Sequence, residues 1–243
     1  MNKEIIDYYD RESAGYTNKR YPLNTISYTQ FIFKRRLILL LDFLEEIKKD
    51  LPINARILDI GCADGVAFKA IEDRFPGLFK EMVGIDVSPK MIEQATKQNT
   101  NPNANFRLRK EFNDKNFDVV LELGVHPFDL VGELKFVKNN LNSGGLFLYD
   151  LVGSGALFTK IKMKDEPFIK DYRTYKNYEL EIKKLFVIKG KHAYGLFIPK
   201  LWSMPSIARI LQPIFDLTFQ KITPELFHEM IYLLKNNTSE PKA

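Results

Sequence analysis

Two acidic residues and two glycines in the first half of the chain have the spacing of a nucleoside-binding site. Asp59 lies in a short apolar run, Gly61 and Gly65 follow it, and Asp86 ends a second apolar run 21 residues after Gly65. Glycines allow the backbone to pass close to a ligand, and an acid at the end of the second strand accepts hydrogen bonds from the two hydroxyls of a ribose. The pattern therefore predicts a cofactor that contains a nucleoside.

The hydrophobic pattern predicts the elements that position these residues. An apolar run at 57–60, small residues at 61–65 and helical periodicity after them indicate a strand that turns tightly into a helix. Residues 81–86 predict the second strand, and Ser88 before Pro89 is typical of a helix start. The second acid is thus expected at a strand end that faces the ligand.

Motifs that are absent from the sequence narrow the choice of cofactor. The turn reads G-C-A-D-G instead of the G-x-G-x-x-G of a dinucleotide site, and no G-x-x-x-x-G-K-[ST] loop occurs. The charge of Asp59 would repel a pyrophosphate and would pair well with an ammonium group. The sequence therefore disfavours dinucleotides, ATP and GTP.

With these features the chain resembles the class I methyltransferases that depend on S-adenosyl-L-methionine. The segment Asp59 to Gly65 matches their first motif, D-I-G-C-G-x-G, with Ala63 in place of the middle glycine, and Gly84-Ile85-Asp86 matches the strand that follows. The resemblance implies S-adenosylmethionine as the cofactor. The predicted cofactor-binding residues are Tyr16, Arg20, Asp59, Gly61, Cys62, Ala63, Gly65, Asp86, Val87, Met91, Glu111 and Leu123.

The N-terminal residues resemble the helical cap of small-molecule methyltransferases through the form Y-x-x-x-R-Y at 16–21. In such a cap Arg20 would meet the carboxylate of the cofactor and Tyr16 would cover its sulfonium. Packing of both side chains on a helix surface is the alternative. At the other end of the cofactor, Met91 would lie against the adenine, and Glu111 is a candidate ligand of the adenine amino group.

The segment after the predicted fourth strand, 117–123, contains a candidate catalytic residue. It is similar to the M-E-x-L-E-H-V-x-D segment of ubiquinone-type O-methyltransferases, in which Glu122 and His126 match and Val125 replaces the second acid. Both acids and the histidine are attributed to a divalent metal in that family, so the loss of one acid leaves no metal site predicted here. His126 is the candidate base that takes a proton from a hydroxyl or amine. Its alternative role is packing at a helix start.

The predicted fold is a three-layer α/β/α sandwich around a mostly parallel, seven-stranded, Rossmann-like sheet. As one domain it would comprise an N-terminal helical cap at 1–51, a cofactor-binding core at 52–151, a substrate-covering part at 152–235 and a flexible tail at 236–243. The cap includes a long amphipathic helix that begins near Thr25.

In the substrate-covering part a helix is predicted at 177–188. The family resemblance implies that the last two strands lie at 191–198 and 226–235. The insert between them, 200–219, is rich in apolar residues and contains Trp202. It is expected to be a substrate cover, a helix that rests on a membrane surface, or core.

Composition bounds the class of protein. A chain of 243 residues with 45% hydrophobic residues suits one globular domain, and its single cysteine, Cys62, indicates a reducing and hence cytoplasmic environment. No apolar stretch of signal-peptide type is present, and the apolar run 37–41 is bounded too closely by charges to span a membrane. His126-Pro127-Phe128 lacks the [DNS]-P-P-[YFW] motif of nucleic-acid adenine methyltransferases, so no nucleic-acid partner is expected.

Charge is unevenly distributed along the chain. Residues 1–150 contain 21 basic and 22 acidic residues, a net of −1, whereas 151–243 contain 15 and 9, a net of +6. The basic part is expected to cover the substrate, which favours an anionic acceptor. A solvated basic surface is the alternative explanation.

The sequence thus predicts an enzyme that transfers a methyl group to an oxygen or nitrogen of a small molecule, such as an anionic, sugar or quinone-like acceptor. One alternative is a protein that binds the cofactor without catalysis, since Ala63 departs from the motif and the connection after the third strand lacks a clear acid. A second is a membrane-peripheral methyltransferase that acts on a lipid-linked glycan intermediate.

Overall fold

Seven strands and two layers of helices account for most of the chain in a computed structural model that describes residues 3–125, 129–162 and 172–237. The strands are β1 (Arg56–Ile60), β2 (Glu81–Asp86), β3 (Ala104–Leu108), β4 (Phe117–Glu122), β5 (Leu141–Val152), β6 (Phe186–Leu196) and β7 (Phe227–Asn236). The α-helices are α1 (Lys3–Glu12), α2 (Tyr16–Arg20), α3 (Tyr28–Ile47), α4 (Val66–Arg74), α5 (Pro89–Gln98), α6 (Leu130–Asn140), α7 (Leu157–Lys162), α8 (Tyr175–Ile182) and α9 (Pro205–Phe219).

The strands form one sheet in the order β3-β2-β1-β4-β5-β7-β6. Pairing is parallel from β3 to β5, and β7 runs antiparallel to both of its neighbours. The carboxyl ends of β1, β2, β4, β5 and β6 therefore share one edge of the sheet with the start of β7. The predicted mostly parallel, seven-stranded α/β/α architecture is confirmed.

Apolar side chains of the sheet form a core on each face. One core contains residues from α3 and α4, including Leu40 and Phe68, and the other contains residues from α6 and α8, including Leu134 and Ile182. The near-continuous apolar sequence of the central strands follows from this burial on both sides. The helix α3 begins where the Ser27 hydroxyl accepts a hydrogen bond from the amide of Gln30.

Two predicted boundaries in the second half of the chain were wrong. The helix predicted at 177–188 ends at Ile182, and residues from Phe186 onward form β6 because they pair with β7. Phe186, Val187 and Ile188 are aromatic or β-branched, so they suit a strand once a neighbouring strand is available. The strand implied at 191–198 begins five residues earlier, at Phe186, and ends at Leu196.

Within the described ranges, every helix is too short or too polar to cross a membrane. The insert between the last two strands lies where the sequence predicted it, and most of it is the helix α9.

Candidate active site

The turn between β1 and α4 has a backbone that only small residues accommodate. Gly61 and Gly65 have positive φ angles of 74° and 83°, and a Cβ on Gly61 would collide with the side chain of Val125. The amides of Gly61 and Cys62 both donate to the carbonyl of Ile85 on β2, at 2.8 and 3.1 Å. The turn is thereby fixed against the end of the neighbouring strand.

Ala63, which takes the place of the motif's middle glycine, also has a positive φ, 48°. This left-handed conformation costs an L-residue with a Cβ about 1–2 kcal/mol. This backbone conformation explains why the class I methyltransferases that the chain resembles have glycine at this position. Alanine retains the turn at an energetic cost.

Asp86 joins the turn to the start of α5 at the end of β2. One carboxylate oxygen accepts a hydrogen bond from the amide of Ala63 at 3.0 Å, and the other accepts one from the amide of Ser88 at 2.9 Å. The residue is only 7% exposed, and burial raises the pKa of its carboxyl group. Each oxygen keeps a lone pair, so two further donors such as ribose hydroxyls are geometrically acceptable.

These hydrogen bonds give Asp86 a role in folding in addition to its position for ligand binding. Because the carboxylate of Asp86 satisfies two buried backbone amides, its removal leaves both without a partner, and the free energy of unfolding must fall as well.

Asp59 is buried in β1 without a compensating group. Its side chain is 3% exposed and accepts no hydrogen bond from the part of the chain that the structure describes. Burial, followed by the charge of Asp86, raises the pKa of the Asp59 carboxyl group to about 8. A buried acid of this kind is stabilised as a carboxylate when a cation, for example an ammonium group, approaches it.

A small cavity lies between the glycine turn and the N-terminal helices. Its volume is about 30 Å³, which is the space of one water molecule. Tyr16 and Tyr21 line it on the side of α2, and a volume of this size is too small for a nucleoside cofactor. The cavity is lined by Tyr16, Tyr21, Arg36, Leu37, Asp59, Gly61, Cys62, Ala63, Val66, Ala67 and Leu123.

The structure therefore brings together six of the predicted cofactor-binding residues around one cavity: Tyr16, Asp59, Gly61, Cys62, Ala63 and Leu123. Gly65 lines a second, larger cleft of about 430 Å³ that runs beside α4. The thiol of Cys62 is buried, and burial keeps its pKa well above the usual value, so the residue is a neutral small side chain.

Arg20 lies beside Tyr16 but does not line the cavity. Its guanidinium carbon is 4.0 Å from the centre of the Tyr16 ring, and its Nη1 is 3.2 Å from a carboxylate oxygen of Glu12. The arginine that does line the cavity is Arg36 of α3, which the sequence analysis did not single out.

The remaining predicted cofactor residues lie away from this cavity. Met91 is fully buried in α5, where its amide donates to the hydroxyl of Ser88, and Val87 is half-buried next to Asp86. Glu111 is exposed on the turn after β3.

Two further acids hold the N-terminal helices against the core. Asp64 accepts hydrogen bonds from the amide and the hydroxyl of Thr17 at 3.0 and 2.8 Å, and so caps the start of α2. Asp10 of α1 accepts a hydrogen bond from the hydroxyl of Ser88 at 2.5 Å, at the start of α5. The acids lie at helix N-termini, where a negative charge is favourable. Their partners are distant in sequence, so no local pattern indicates this role.

A buried ionic network lies at the same edge of the sheet, on the other side of Arg36. Its Nε donates to Asp150 on β5 at 2.8 Å, and its Nη2 donates to Glu229 on β7 at 2.6 Å. The hydroxyl of Tyr194 on β6 lies within hydrogen-bond distance of both carboxyl groups. Sequence reasoning missed the whole set, although Asp150 and Glu229 are charged residues within otherwise apolar strands.

The pKa values of the two acids in the network shift in opposite directions. Tyr194 has a single hydroxyl proton for two carboxyl groups, so a proton on one of these acids would satisfy both contacts. Burial and the charge of Glu229 raise the pKa of Asp150 to about 8. Burial alone would raise the pKa of Glu229, but the charge of Arg36 outweighs it and lowers that pKa below its usual value. Asp150 is therefore the protonated member, and Glu229 the ionised one.

The end of β4 carries a further buried acid. Both carboxylate oxygens of Glu122 are buried and have no hydrogen-bond partner within the described ranges, and burial holds its pKa well above the usual value. His126, the predicted catalytic residue, lies outside the described residues. Within those ranges no three His, Cys, Asp or Glu side chains are grouped so that they could hold a metal ion.

The matched protein family and the similar solved structures agree with this geometry. Residues 57–145 match the family model for a methyltransferase domain. No curated protein matches the chain. Among solved structures, the chain is similar to a putative sarcosine dimethylglycine methyltransferase from Galdieria sulphuraria, with a TM-score of 0.63, 12% identity, and coverage of 96% of this chain and 99% of that one.

Two other structures share the fold. A putative S-adenosylmethionine-dependent methyltransferase from Listeria monocytogenes has a TM-score of 0.53 and 20% identity, with coverage of 79% and 96%. The [4+2]-cyclase SpnF has a TM-score of 0.62 and 13% identity, with coverage of 97% and 96%. At such identities the likeness shows the fold alone. A methyltransferase domain at 57–145 on a seven-stranded sheet of this order supports a class I S-adenosylmethionine-dependent methyltransferase.

Proposed function

We propose that the enzyme methylates an oxygen or nitrogen of a small-molecule acceptor, and that the cavity between the glycine turn and the N-terminal helices holds the methionine end of the cofactor. The observation that carries the proposal is Asp59, a buried acid that lines this cavity without a partner in the described ranges. The ammonium group of the cofactor is the cation that such an acid lacks.

The other cofactor contacts follow from the positions of their donors and acceptors. Asp86 would accept the two ribose hydroxyls with its remaining lone pairs, and the turn from Gly61 to Gly65 would pass along the cofactor. Tyr16 would cover the sulfonium, with Arg20 stacked against its ring to hold it in place. For the cofactor's carboxylate, Arg36 is a better candidate than Arg20, because it lines the cavity and its Nη1 is not used by Asp150 or Glu229.

When bound, S-adenosylmethionine supplies a methyl group on a sulfonium sulfur. The chain's own task is to orient the acceptor, exclude water and take up the acceptor's proton. Tyr16 and Tyr21, which line the cavity, would exclude water. His126 is the proposed base, since it follows the carboxyl end of a parallel strand, where ligands lie in open α/β sheets.

The acceptor is proposed to be anionic, because the part of the chain after residue 150 carries the basic excess of +6. The proposal also includes sugars and quinone-like molecules as acceptors, and the sugars include lipid-linked glycans. A second candidate function is a bound cofactor without methyl transfer. The left-handed Ala63 favours it, as does the similarity to SpnF, whose name describes a cyclase.

Calorimetry and a methyl-transfer screen test the proposal. S-adenosylmethionine and its demethylated product are expected to bind, and NAD and ATP are not. Pooled hydroxylated, amino and sugar metabolites with a labelled methyl donor should then identify the acceptor. Binding of NAD without binding of S-adenosylmethionine would overturn the cofactor site. Cofactor binding without transfer to any pool, in the presence of active control enzyme, would favour the second candidate.

A further inference from the structure

Two polar residues on the inner face of α9 are buried against the protein, whereas several of its apolar residues are exposed. Asp216 is fully buried, and its carboxylate accepts hydrogen bonds from the amides of Gly195 and Leu196 at 3.0 and 3.1 Å. Gln212 is also fully buried and donates to the carbonyl of Leu196 at 2.7 Å. These side chains satisfy the backbone at the end of β6, so polar hydrogen bonds attach the inner face of α9.

The outer face of α9 is an apolar stripe. Its members recur at spacings of three and four residues, which places them on one side of a helix. They are Ile207, Ile210, Ile214 and Leu217, which are 45%, 69%, 54% and 58% exposed. Met204 before the helix and Ile222 after it are exposed as well. A contiguous apolar surface of this kind is typical of a contact with something outside the chain.

The charges around the stripe have one sign. Between residues 199 and 223 the basic residues are Lys200, Arg209 and Lys221, all exposed, and the single acid is Asp216, which faces inward. Lys34 of α3 is a further basic residue whose pKa is lowered by burial and by the charge of Arg209. The outside of this segment is therefore apolar and cationic, without an exposed carboxylate.

We propose that this outer face of α9 docks on a membrane surface that contains anionic lipid. Apolar side chains that enter the interfacial region and basic side chains that pair with anionic headgroups are the two contributions that hold a helix in the plane of a membrane. A second copy of the chain is a less suitable occupant, because a two-fold interface uses the same patch on both copies and would bring together basic residues from each without an exposed carboxylate between them.

Docking in this orientation has a consequence for the active site. The carboxyl end of β6, to which α9 is attached, lies at the same sheet edge as the glycine turn. The open edge of the enzyme would thus lie close to the bilayer. The inference goes beyond the proposed methyl transfer and does not depend on the identity of the acceptor.

Vesicle sedimentation with the full chain tests the proposal. One set of vesicles contains phosphatidylcholine alone, and the other contains phosphatidylcholine with phosphatidylglycerol. The chain should sediment with the anionic vesicles, and less so as salt is raised, because salt screens exposed charges. The double variant Ile210→Ser/Ile214→Ser should reduce the fraction bound by about tenfold or more, since two apolar side chains no longer enter the interface.

Matched variants separate the apolar and the electrostatic contributions to vesicle binding. Ile53→Ser removes an equally exposed isoleucine, 97% exposed and just before β1, at the opposite edge of the sheet, and should leave sedimentation unchanged. Arg209→Gln/Lys221→Gln should weaken sedimentation and reduce its dependence on salt. Calorimetry with S-adenosylmethionine should give the same affinity for the double isoleucine variant as for the wild type, so a failed vesicle test leaves the methyltransferase proposal intact.

Three results would overturn the membrane proposal. The first is the absence of sedimentation with anionic vesicles at low salt. The second is sedimentation that the double isoleucine variant retains in full. The third is a concentration-dependent dimer, without vesicle binding, that Ile210→Ser/Ile214→Ser converts to monomer, which would assign the face to a second copy of the chain.

Discussion

The two halves of the sheet hold buried acids at the same edge by different means. In the cofactor half, Asp86 on β2 is held by the backbone amides of Ala63 and Ser88, which lie 23 and 2 residues away. In the other half, Asp150 and Glu229 are held by the side chain of Arg36, which lies 114 and 193 residues away. The backbone partners lie within one strand-helix-strand unit, whereas the side-chain partners come together only when distant parts of the chain have folded.

This difference determines how each half responds to substitution. A carboxylate held by amides of a local turn keeps lone pairs for a ligand, and losing it affects mainly that turn. A buried ion pair depends on both partners, because removal of one leaves the other charged in a low-dielectric interior. We therefore expect ligand affinity to change most in the cofactor half and folding stability to change most in the network.

The largest expected effect is the replacement of Arg36 by methionine. Asp150 and Glu229 would remain buried without their cation, which should lower the free energy of unfolding by about 3–5 kcal/mol in urea denaturation. Arg35→Met is the matched control, since Arg35 is adjacent in sequence, half-buried, and in no ion pair within the described ranges. It should cost far less.

A triple variant tests whether the loss of the Arg36 charge causes the loss of stability. Replacement of Asp150 and Glu229 by leucine in the Arg36→Met background should recover most of the lost stability, because apolar residues of similar volume can replace a buried ionic set. A triple variant as unstable as Arg36→Met would show that the packing of Arg36, and not its charge, is the contribution that matters. The contrast between the two halves would then be lost.

The next effect concerns Asp86. Asp86→Ala should weaken the binding of S-adenosylmethionine by about 1–3 kcal/mol and lower the free energy of unfolding by about 1–2 kcal/mol, since two amides lose a buried acceptor. Asp73→Ala, which removes an exposed acid on α4, should change neither quantity. Unchanged affinity in a folded Asp86→Ala protein would exclude the ribose contact.

The same contrast explains what the sequence could predict. The cofactor half could be predicted from the sequence because its strands, turns and acids follow one another along the chain. The bounds of β2 and the helix start at Ser88 and Pro89 agree with the prediction. Arg36 and Tyr194 each have the sequence context of ordinary core or surface residues, and only the folded chain brings them to Asp150 and Glu229. The helix–strand error at Phe186 has the same origin, because pairing with β7 overrides a local helical pattern.

The insert that contains Trp202 shows how far the sequence predicts the structure of a single segment. The sequence predicted a cover, an interfacial helix or core for the insert 200–219, and the structure divides these between two parts of it. Trp202 packs on Tyr28 and Phe31 and donates its indole N–H to Gln212, so it belongs to the packed start of the insert. The exposed apolar stripe follows on α9. Periodicity alone does not indicate which face of a helix is attached.

Replacement of Asp59 by asparagine should raise the stability of the ligand-free protein near pH 8 and lower its affinity for the cofactor. Its pKa is raised to about 8 in the folded chain, so the folded state binds its proton more tightly than the unfolded state. The contribution of this group to stability therefore falls as pH rises from about 4 to about 8. In Asp59→Asn that decline should disappear, and the melting temperature of the ligand-free protein near pH 8 should rise. Affinity for S-adenosylmethionine should fall by about 1–2 kcal/mol, because the ammonium group loses a charged partner.

Proton release provides an independent check on Asp59. Binding of an ammonium group should convert the neutral acid to a carboxylate, so calorimetry near pH 7 in buffers of different ionisation enthalpy should detect a released proton. Asp59→Asn should abolish this release. If the wild type releases no proton while binding the cofactor, the ammonium does not lie beside Asp59, and the cofactor half would not use its buried acids in the way described.

The smallest expected effect is at Ala63 and has an unusual sign for an alanine-to-glycine change. Glycine normally costs about 0.5–1 kcal/mol because it loses more backbone freedom on folding, but the left-handed conformation costs alanine about 1–2 kcal/mol. Ala63→Gly should therefore raise the free energy of unfolding by about 0.5–1 kcal/mol. Ala67→Gly, one turn further in α4, should lower it by about 1 kcal/mol, because that residue is helical and buried. Opposite signs for two alanines four residues apart would confirm that backbone conformation, and not side-chain contact, determines the stability of this turn. Equal losses at both positions would mean that the methyl group of Ala63 packs favourably enough to offset its strain.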